Sequence, residues 1–552
     1  MSRSHRLIRS VAALALALAP ACADEAVTSD DEVGDGDGDD GQVDGDGDGD
    51  GGAEGDGDGD GDDPPAELGG PARGLMILAV EVNQGTGVEV VRDDQVVASE
   101  ERNAKLIRNR DTLIRVHHVI DDPDAWVPRE LTGVLHIQPP TGPELLRTRT
   151  FTVTGDSDPR KLSNAFYFSL LADEALPGTE LWIELRETDA SLDVSSLSPG
   201  LSTTPVAPFE FEDLPLALRV VLVPVLYEYL DPPRIPDITD EDLALFHDLL
   251  LQQNPVQTVE FEVRPEPIVR TQQLTSLGAL LAPTREVRLQ DGVGPNVYYH
   301  ALVDVGGPSV NQVAGIAMLT DASKADASDR VAVTVYHKHV KLPDERDEDQ
   351  TPTIYPPVAS ARTFVHEVGH NQGFRHVACP SGDAAGPDPD YPHDDGKIGV
   401  YGFGIRDFHI YTPGASHDYM SYCGNSWVSD WTWNKALARI EVLTSWEGEG
   451  AGSPTLSPVL VGVLSPEGAE EWSVHQGVAP SGLDPSGARV EYSVAGSIAA
   501  SVPASVELLS DDATVMVTAP LPIALAELDG ITWLHANHQR SISPASVASI
   551  RR

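Results

Sequence analysis

The stretch that decides how this chain is interpreted is HEVGHNQGFRH, residues 366–376. His366 and His370 are four residues apart, so on a helix they lie on one face and can hold one metal ion. Glu367 follows the first histidine, where a carboxylate can hold and deprotonate a metal-bound water. Gly373 is placed to end the helix and turn the chain, so that His376 returns as a third ligand. Three neutral imidazoles leave a fourth position on Zn²⁺ free, which is typical of a catalytic site.

The motif resembles the HExxHxxGxxH pattern of the metzincin family of zinc metallopeptidases, in which a methionine turn follows. Met420 lies in SHDYMSY, residues 416–422, and is one of only five methionines. By this resemblance, Met420 is a supporting residue beneath the metal ligands and not a ligand itself. Tyr422 occupies a position from which a tyrosine reaches the metal or the oxyanion in some subfamilies; a tyrosine packed under the site is the alternative. Val377, after the third histidine, matches none of the well-known subfamilies, so no subfamily is assigned.

The motif has two other interpretations. The first is a pair of surface histidines on a helix, which the further match of Glu367, Gly373, His376 and Met420 disfavours. The second is a descendant that still binds zinc but has lost activity. Such descendants normally lose the glutamate, and Glu367 is present, so an active site is the favoured interpretation.

The amino terminus has the order of a secretory signal. Three arginines are followed by an apolar run at residues 11–19 and by small residues around Cys22, and the run is too short to span a bilayer. Residues 1–22 are therefore predicted to be the signal peptide of an exported bacterial protein. Cleavage before Cys22 would leave this cysteine to carry lipid and tether the chain to a membrane. Ordinary cleavage after Ala21 or Ala23, which gives a secreted protein, is the alternative.

The chain holds three cysteines. Cys379 lies three residues after His376, and Cys423 lies three residues after Met420. Because exported proteins tend to pair their cysteines, we predict a disulfide between Cys379 and Cys423 that braces the metal site. Two free thiols are the alternative, and Cys22 is left for lipid or for removal with the signal.

An acidic, glycine-rich segment follows the signal. Twenty acidic residues and no basic ones lie between Asp24 and Glu67, in a chain whose formal net charge is −50. Such a segment cannot bury a core, so residues 23–70 are predicted to be a disordered spacer. Its Asp-Gly repeats lack the spacing of a calcium loop. The acidity of the remaining chain argues against nucleic acid and anionic membrane surfaces as partners.

Three folded domains are predicted after the spacer. Residues 71–212 carry short alternating strands that indicate a β-sandwich-like domain, and residues 452–552 return to the same pattern. Between them, residues 213–447 combine apolar strands with helical periodicity ahead of the metal motif. The predicted fold class is an α/β metzincin-like catalytic domain, with a twisted mixed sheet, an active-site helix and a methionine turn, flanked by β-sandwich domains. The resemblance also implies a sheet edge that binds extended substrate, for which 313–319 is the candidate.

The loop between His376 and Met420 offers further polar groups. Its acidic stretch at residues 382–390 could hold Ca²⁺, but an acidic surface loop is the favoured interpretation and nothing else supports calcium. Three histidines in the same region have no partner at helical spacing, so they are predicted to be ordinary surface or packing residues: His393, His409 and His417.

These features predict a zinc-dependent endopeptidase of extracellular protein or glycoprotein substrates, in which His366, His370 and His376 hold one Zn²⁺ and Glu367 activates its water. The alternative from another class is a surface adhesion or ligand-binding lipoprotein with a vestigial zinc site, against which the intact Glu367 argues. The sequence leaves open whether residues 74–212 act as a removable pro-domain or as a recognition module, and it leaves the oligomeric state open.

Overall fold

The structure is a computed structural model, and it describes residues 68–320, 323–341, 353–380, 382, 386–448, 454–480, 487–536 and 538–549. Residues 68–552 belong to one compact unit. The predicted signal peptide, Cys22 and almost all of the predicted spacer lie outside the described residues. Within the described ranges, no helix is both long and apolar enough to cross a membrane.

The first part of the described chain consists of two antiparallel sheets. The strands are β1 Leu75–Asn83, β2 Gly87–Arg92, β3 Gln95–Val96, β4 Thr112–Ile120, β5 Arg129–Gln138, β6 Leu145–Val153, β7 Phe166–Leu170, β8 Glu180–Glu187 and β9 Ala207–Pro208. One sheet has the order β3-β2-β1-β4-β7 and the other β6-β5-β8-β9. The sheets pack face to face at Gly133 of β5, where a Cβ atom would lie 2.6 Å from the ring of Phe166. A side chain at Gly133 would push the two layers apart.

The middle part carries the predicted metal motif. Its larger elements are β10 Ala217–Tyr227, α1 Asp240–Gln253, β11 Thr258–Val263, β12 Ile268–Arg270, α2 Leu281–Asp291, β13 Val297–Val303, β14 Gly315–Ala317, β15 Val331–Val335, β16 His339–Lys341, β17 Thr353–Tyr355 and α3 Val358–Asn371. It ends with β18 Gly402–Gly404, β19 His409–Tyr411, β20 His417–Asp418, β21 Ser426–Trp427 and α4 Asp430–Thr444. A six-stranded sheet has the order β11-β10-β13-β15-β14, with β12 also paired to β10. All its pairs are parallel except β14 with β15, so β14 is an antiparallel edge strand.

Local sequence explains the main elements of this part. Strand β10 reads ALRVVLVPVLY and is almost wholly buried, as a central parallel strand must be. Helix α1 begins at a capping box, in which the Thr239 hydroxyl accepts from the Asp242 amide at 3.2 Å and the Asp242 carboxylate accepts from the Thr239 amide at 2.9 Å. Helix α3 lies against α1 through Phe364 and Phe246, whose rings are 5.1 Å apart. The metal motif is therefore held on a helix packed into the core.

The last part of the chain forms two further sheets. The strands are β22 Ser457–Leu464, β23 Glu470–Gly477, β24 Arg489–Val494, β25 Ser497–Pro503, β26 Ser505–Leu508, β27 Val515–Pro520, β28 Gly530–His535, β29 His538–Ile542 and β30 Ala548–Ser549. Their orders are β26-β27-β22-β23-β30 and β25-β24-β28-β29. Leu460 and Val517 from the first sheet and Val490 and Ile531 from the second share one apolar core.

The first and middle parts share a core and polar contacts. Arg110 is 7% exposed, and its guanidinium donates to the carbonyl groups that end α1, including those of Leu251 at 2.7 Å and Asn254 at 2.9 Å. The indole of Trp427 donates to the carbonyl oxygen of Gly85 at 2.7 Å. These bonds satisfy carbonyls that the end of a helix and a tight turn leave without partners. The domain boundaries at 71–212, 213–447 and 452–552 remain predictions.

The fold class predicted from the sequence is wrong. Among the described residues, thirty strands form eight sheets, most of them antiparallel, and four α-helices occur, so the chain is mainly β and has no α/β metzincin-like domain. The prediction gave too much weight to the helical periodicity around residues 240–253 and 361–372. Helices α1 and α3 do form there, but they are two of only four described α-helices beside thirty strands. The strands that the structure describes between α3 and α4 are only two or three residues long, because Gly, Pro and Asp recur there and favour turns.

Candidate metal centre

Helix α3 carries the first two predicted ligands and ends where the sequence predicted. Gly373 has φ = +89°, and its amide donates to the His370 carbonyl at 2.8 Å. The amide of Phe374 donates to the Gly369 carbonyl at 3.0 Å, which completes the Schellman arrangement of a helix end. A Cβ atom on Gly373 would also lie 2.7 Å from the carbonyl oxygen of Thr320. Glycine is thus required both by the left-handed backbone and by the close neighbour, and the turn brings His376 back towards α3.

The three predicted ligands converge. The Nε2 atom of His370 lies 3.0 Å from that of His366 and 3.2 Å from that of His376. Their relative exposures are 9% for His366 and 1% for each of the others. In the part of the chain that the structure describes, this is the one group of three potential ligand side chains close enough to hold a single ion.

The hydrogen bonds of the imidazoles fit a cation at this point. The Nδ1 atom of His366 lies 2.8 Å from the Tyr419 carbonyl oxygen, and that of His370 lies 2.7 Å from the Phe374 carbonyl oxygen. Each Nδ1 must therefore carry the proton, which leaves each Nε2 a lone-pair acceptor. Acceptors about 3 Å apart repel one another, whereas a Zn²⁺ ion bonded at about 2.0–2.1 Å satisfies them together. The donor set fits zinc.

The lowered pKa values of His366 and His370 also fit a bound cation. Burial and the neighbouring His376 hold the pKa of His366 at about 4, although its bond to the Tyr419 carbonyl acts in the opposite direction. Burial, followed by His366 and His376, lowers the pKa of His370 well below its usual range. Neutral imidazole is the form that binds a metal.

Glu367 is buried beside the ligands. Its relative exposure is 4%, and its Oε2 atom accepts a hydrogen bond from the Ser510 hydroxyl at 3.3 Å. Gly315 of edge strand β14 lies above the other carboxylate oxygen, since a Cβ atom there would be 2.5 Å from Oε1. Burial is the main cause that raises the pKa of Glu367 well above its usual range, and the charge of Asp511 adds to it, against the bond from Ser510. Its position is suited to exchanging a proton within the site.

Met420 packs against α3 beneath the ligands. Its relative exposure is 1%, and a Cβ atom on Gly369 would lie 2.4 Å from its sulfur. The buried carboxylate of Asp418 fixes this turn, because Oδ1 accepts from the Met420 amide at 2.9 Å and Oδ2 accepts from the Thr432 hydroxyl at 2.6 Å. The Tyr419 carbonyl that orients His366 belongs to the same turn. The turn therefore supports the ligand set from below.

Tyr422 lies at the open side of the centre. Its hydroxyl is 2.8 Å from Nε2 of His376, and the residue is 51% exposed. Burial of the hydroxyl and the charges of Glu367, Asp511 and Asp512 raise its pKa above the usual range, so it stays protonated and donates. The tyrosine predicted from the sequence thus contacts Nε2 of His376, one of the three predicted ligands, and does not pack beneath the site.

The predicted disulfide is present. Cys379 and Cys423 are bonded, with their Cα atoms 6.2 Å apart, so the alternative of two free thiols is wrong. The bond joins the segment after His376 to the segment after Met420. The Val377 amide adds a backbone bond to the Met420 carbonyl at 3.0 Å. The segment after His376 and the methionine turn are therefore held together covalently.

The other polar groups of the loop lie apart from the centre. His393 bonds to Asp430 at 2.7 Å, and His417 bonds to Lys397 at 2.7 Å. Asp388 pairs with Lys435 at 2.9 Å, so this carboxylate already has a cationic partner. Residues 383–385 of the proposed calcium stretch lie outside the described residues.

Sequence reasoning missed several residues of the site. Ser510 and Asp512 are more than 130 residues from the motif, and nothing in their local sequence marks them. Asp418 and Gly369 lie inside the two motifs. A glycine on the face of α3 that packs against Met420 could have been suspected from the sequence, because a larger side chain would leave no room for the methionine. Their roles depend on contacts that only the folded chain creates.

Comparisons with known proteins assign neither a family nor an activity. No protein-family model matches the chain, and no curated protein matches it. Among solved structures, a Paenibacillus sp. cycloisomaltooligosaccharide glucanotransferase complexed with cycloisomaltoheptaose matches with 13% identity and a TM-score of 0.14, over 54% of this chain and 36% of that one. A calcium-binding mutant of Bacteroides uniformis β-glucuronidase 2 matches with 10% identity and a TM-score of 0.13, over 86% and 61%. The chain thus spans about a third and three fifths of these proteins, and such low scores support no statement about fold or function.

Proposed function

We propose that this chain is a zinc-dependent endopeptidase that hydrolyses peptide bonds in extracellular protein or glycoprotein substrates. The observation that carries the proposal is the convergence of three buried imidazoles beside the buried carboxylate of Glu367. The sequence pattern that resembles the metzincin motif supports it independently, because the pattern depends on residue types and spacing alone.

The metal would be held by His366, His370 and His376. When bound, Zn²⁺ would supply Lewis acidity, which acidifies a water in its open position and polarises a carbonyl group. Glu367 would accept a proton from the attacking water and return it to the leaving amine. Tyr422, which stays protonated and donates, would stabilise the negative charge that develops on the carbonyl oxygen of the substrate.

An edge strand beside Glu367 supports a polypeptide substrate. Strand β14 pairs with β15 on one side only, through Ile316 and Val333 at the centre of the register. Because main-chain groups alternate in direction along a strand, Gly315 and Ala317 direct theirs away from β15. An extended polypeptide can add to such an edge by main-chain hydrogen bonds, which recognise a backbone and not a particular side chain.

The test is to incubate the zinc-loaded full chain with a complex protein mixture and to identify new peptide termini by mass spectrometry. The matched control is the Glu367→Ala protein, with zinc content measured for both. Termini that arise only with the unchanged chain support the proposal. Equal numbers of termini from both proteins would refute the role of Glu367. Tight binding of an extracellular protein without its cleavage would instead favour the adhesion alternative.

A further inference from the structure

A hairpin of the last part of the chain reaches the metal centre. Its tip, residues 509–514, joins β26 to β27, and the Leu509 amide donates to the Thr514 carbonyl at 2.9 Å. Within the tip, the carboxylate of Asp511 accepts from the Thr514 amide at 2.8 Å and from the Ala513 amide at 3.2 Å. Leu509 is fully buried in a core that also contains Ile316 of β14. The tip is therefore internally bonded and anchored beside the edge strand.

Ser510 occupies the free edge of β14. Its amide donates to the Ala317 carbonyl at 3.1 Å, and its hydroxyl accepts from the Ala317 amide at 2.9 Å. Both main-chain groups of Ala317 that face away from β15 are thus taken. A polypeptide that adds to this edge needs the same two groups. The single amide hydrogen of Ala317 cannot bond fully to two acceptors, and the Ser510 backbone lies where an added strand would donate to the Ala317 carbonyl.

The same tip contacts the chemical groups of the site. The Ser510 hydroxyl, which accepts from Ala317, donates its hydrogen to Glu367 Oε2 at 3.3 Å. Asp512 Oδ2 lies 3.8 Å from Nδ1 of His376. Ser510 and Glu367 are only 3% and 4% exposed. The edge strand, the proposed proton acceptor and one proposed ligand are therefore all covered by one segment from another part of the fold.

We propose that the hairpin tip is an intramolecular occupant of the substrate edge, so that a polypeptide binds to β14 only when the tip withdraws. This inference rests on the proposed function, because it assigns the regulation of that same site. It gives the chain a means of latency that needs no cysteine. Two of the three cysteines form the disulfide, and Cys22 lies in the predicted signal peptide. The tip withdraws at the cost of the three hydrogen bonds of Ser510, which are re-formed in part by the incoming backbone.

The experiment compares three forms of the zinc-loaded full chain, each in the Glu367→Ala background so that peptide is bound and not cut. The first form has no further change, and the second has residues 510–513 replaced by Asn-Gly, which closes the hairpin with a two-residue turn. The third carries Ser505→Ala in β26, a change in the same hairpin away from the site. Binding of a fluorescein-labelled random decapeptide pool is followed by anisotropy, and hydrogen exchange of the Ala317 amide by mass spectrometry with electron-transfer fragmentation.

We expect the shortened hairpin to bind the peptide pool about tenfold more tightly and to expose the Ala317 amide to exchange, because the competing bonds of Ser510 are gone. Ser505→Ala should show the same peptide binding and the same exchange of the Ala317 amide as the form with no further change. If the shortened protein does not fold, Ser510→Ala in the same background removes the bond of the Ala317 amide to the Ser510 hydroxyl, and should shift both readouts in the same direction. Unchanged binding and unchanged exchange in the folded variant would overturn the inference.

The proposed function is tested separately by restoring Glu367 in the shortened form. Faster appearance of new termini than from the unchanged chain supports both proposals. Absence of cleavage from either form refutes the peptidase, while the binding and exchange results still decide whether the tip covers the edge.

Discussion

The sulfur of Met420 lies directly against Gly369, the residue before His370, and a Cβ atom on Gly369 would be 2.4 Å from this sulfur. Gly369→Ala should therefore force the methionine turn away from α3. We expect a loss of about 1–3 kcal/mol in the free energy of unfolding, as for overpacking in other cores, together with weaker zinc binding. Gly307→Ala, where no heavy atom lies within 4 Å, is the matched control in thermal unfolding and zinc titration. Equal effects of the two changes would contradict the contact.

Asp418 is the polar anchor of the same turn. Its buried carboxylate accepts from the Met420 amide, from the Ser429 hydroxyl at 2.6 Å and from the Thr432 hydroxyl at 2.6 Å. Asp418→Ala leaves these donors without a partner, so the free energy of unfolding should fall by about 3 kcal/mol. Asp418→Asn keeps the shape and one acceptor oxygen and should cost less. Chemical denaturation of the three proteins gives this order, and the reverse order would contradict the anchoring role.

The disulfide should stabilise both the fold and the metal centre. Cys379 and Cys423 are 44 residues apart, and closing a loop of that length contributes about 2–4 kcal/mol by restricting the unfolded chain. Replacing both cysteines by serine should lower the melting temperature and speed the release of zinc to a chelator. Adding a reductant should reproduce these effects in the unchanged chain only. A reductant effect of equal size on the serine variant would show that another group is responsible.

Acid should destabilise the first part of the chain through Glu81. Burial acts to raise the pKa of this carboxyl, but Arg115 and His117 more than offset it and hold the pKa at about 2, below the reference value of 4.5. Because the folded-state pKa is lowered, the stabilisation is complete above about pH 4.5 and is lost as the pH falls towards 2. The loss should approach about 3 kcal/mol. Between pH 6, 4 and 3, the free energy of unfolding should fall less steeply for Glu81→Gln than for the unchanged chain. Equal slopes for the two proteins would contradict the assignment of this acid sensitivity to Glu81.

Arg110 should couple the first and middle parts of the chain. Its guanidinium donates to four carbonyl groups at the end of α1 and just beyond it, and it is almost fully buried. Arg110→Ala should lower the free energy of unfolding by about 3 kcal/mol. Scanning calorimetry should show this loss as a lower temperature of one thermal transition, in which the first and middle parts unfold together. This coupling favours a first part that stays attached over a pro-domain that is removed. A separate early transition assignable to residues 71–212 would contradict it.

The sequence allowed the convergence of the three histidines to be predicted further than the fold. A helix places His366 and His370 on one face whatever surrounds it, and Gly373 turns the chain after it, so local spacing was sufficient. The fold class was wrong because long-range pairing, and not local periodicity, decides how many segments become strands. The contacts of Ser510 with Ala317 and Glu367 join residues nearly 200 and more than 140 positions apart, and no local pattern encodes them.

The measurement that tests the central claim most directly is the zinc content and zinc coordination of the purified full chain. Zinc is supplied in slight excess and unbound metal is removed by dialysis, and zinc K-edge absorption spectra follow. We predict one zinc per chain with three imidazole nitrogen ligands in the unchanged protein and in Glu367→Ala, and loss of this site in His370→Ala. Less than stoichiometric zinc in the unchanged chain, or the same spectrum in His370→Ala, would contradict the account.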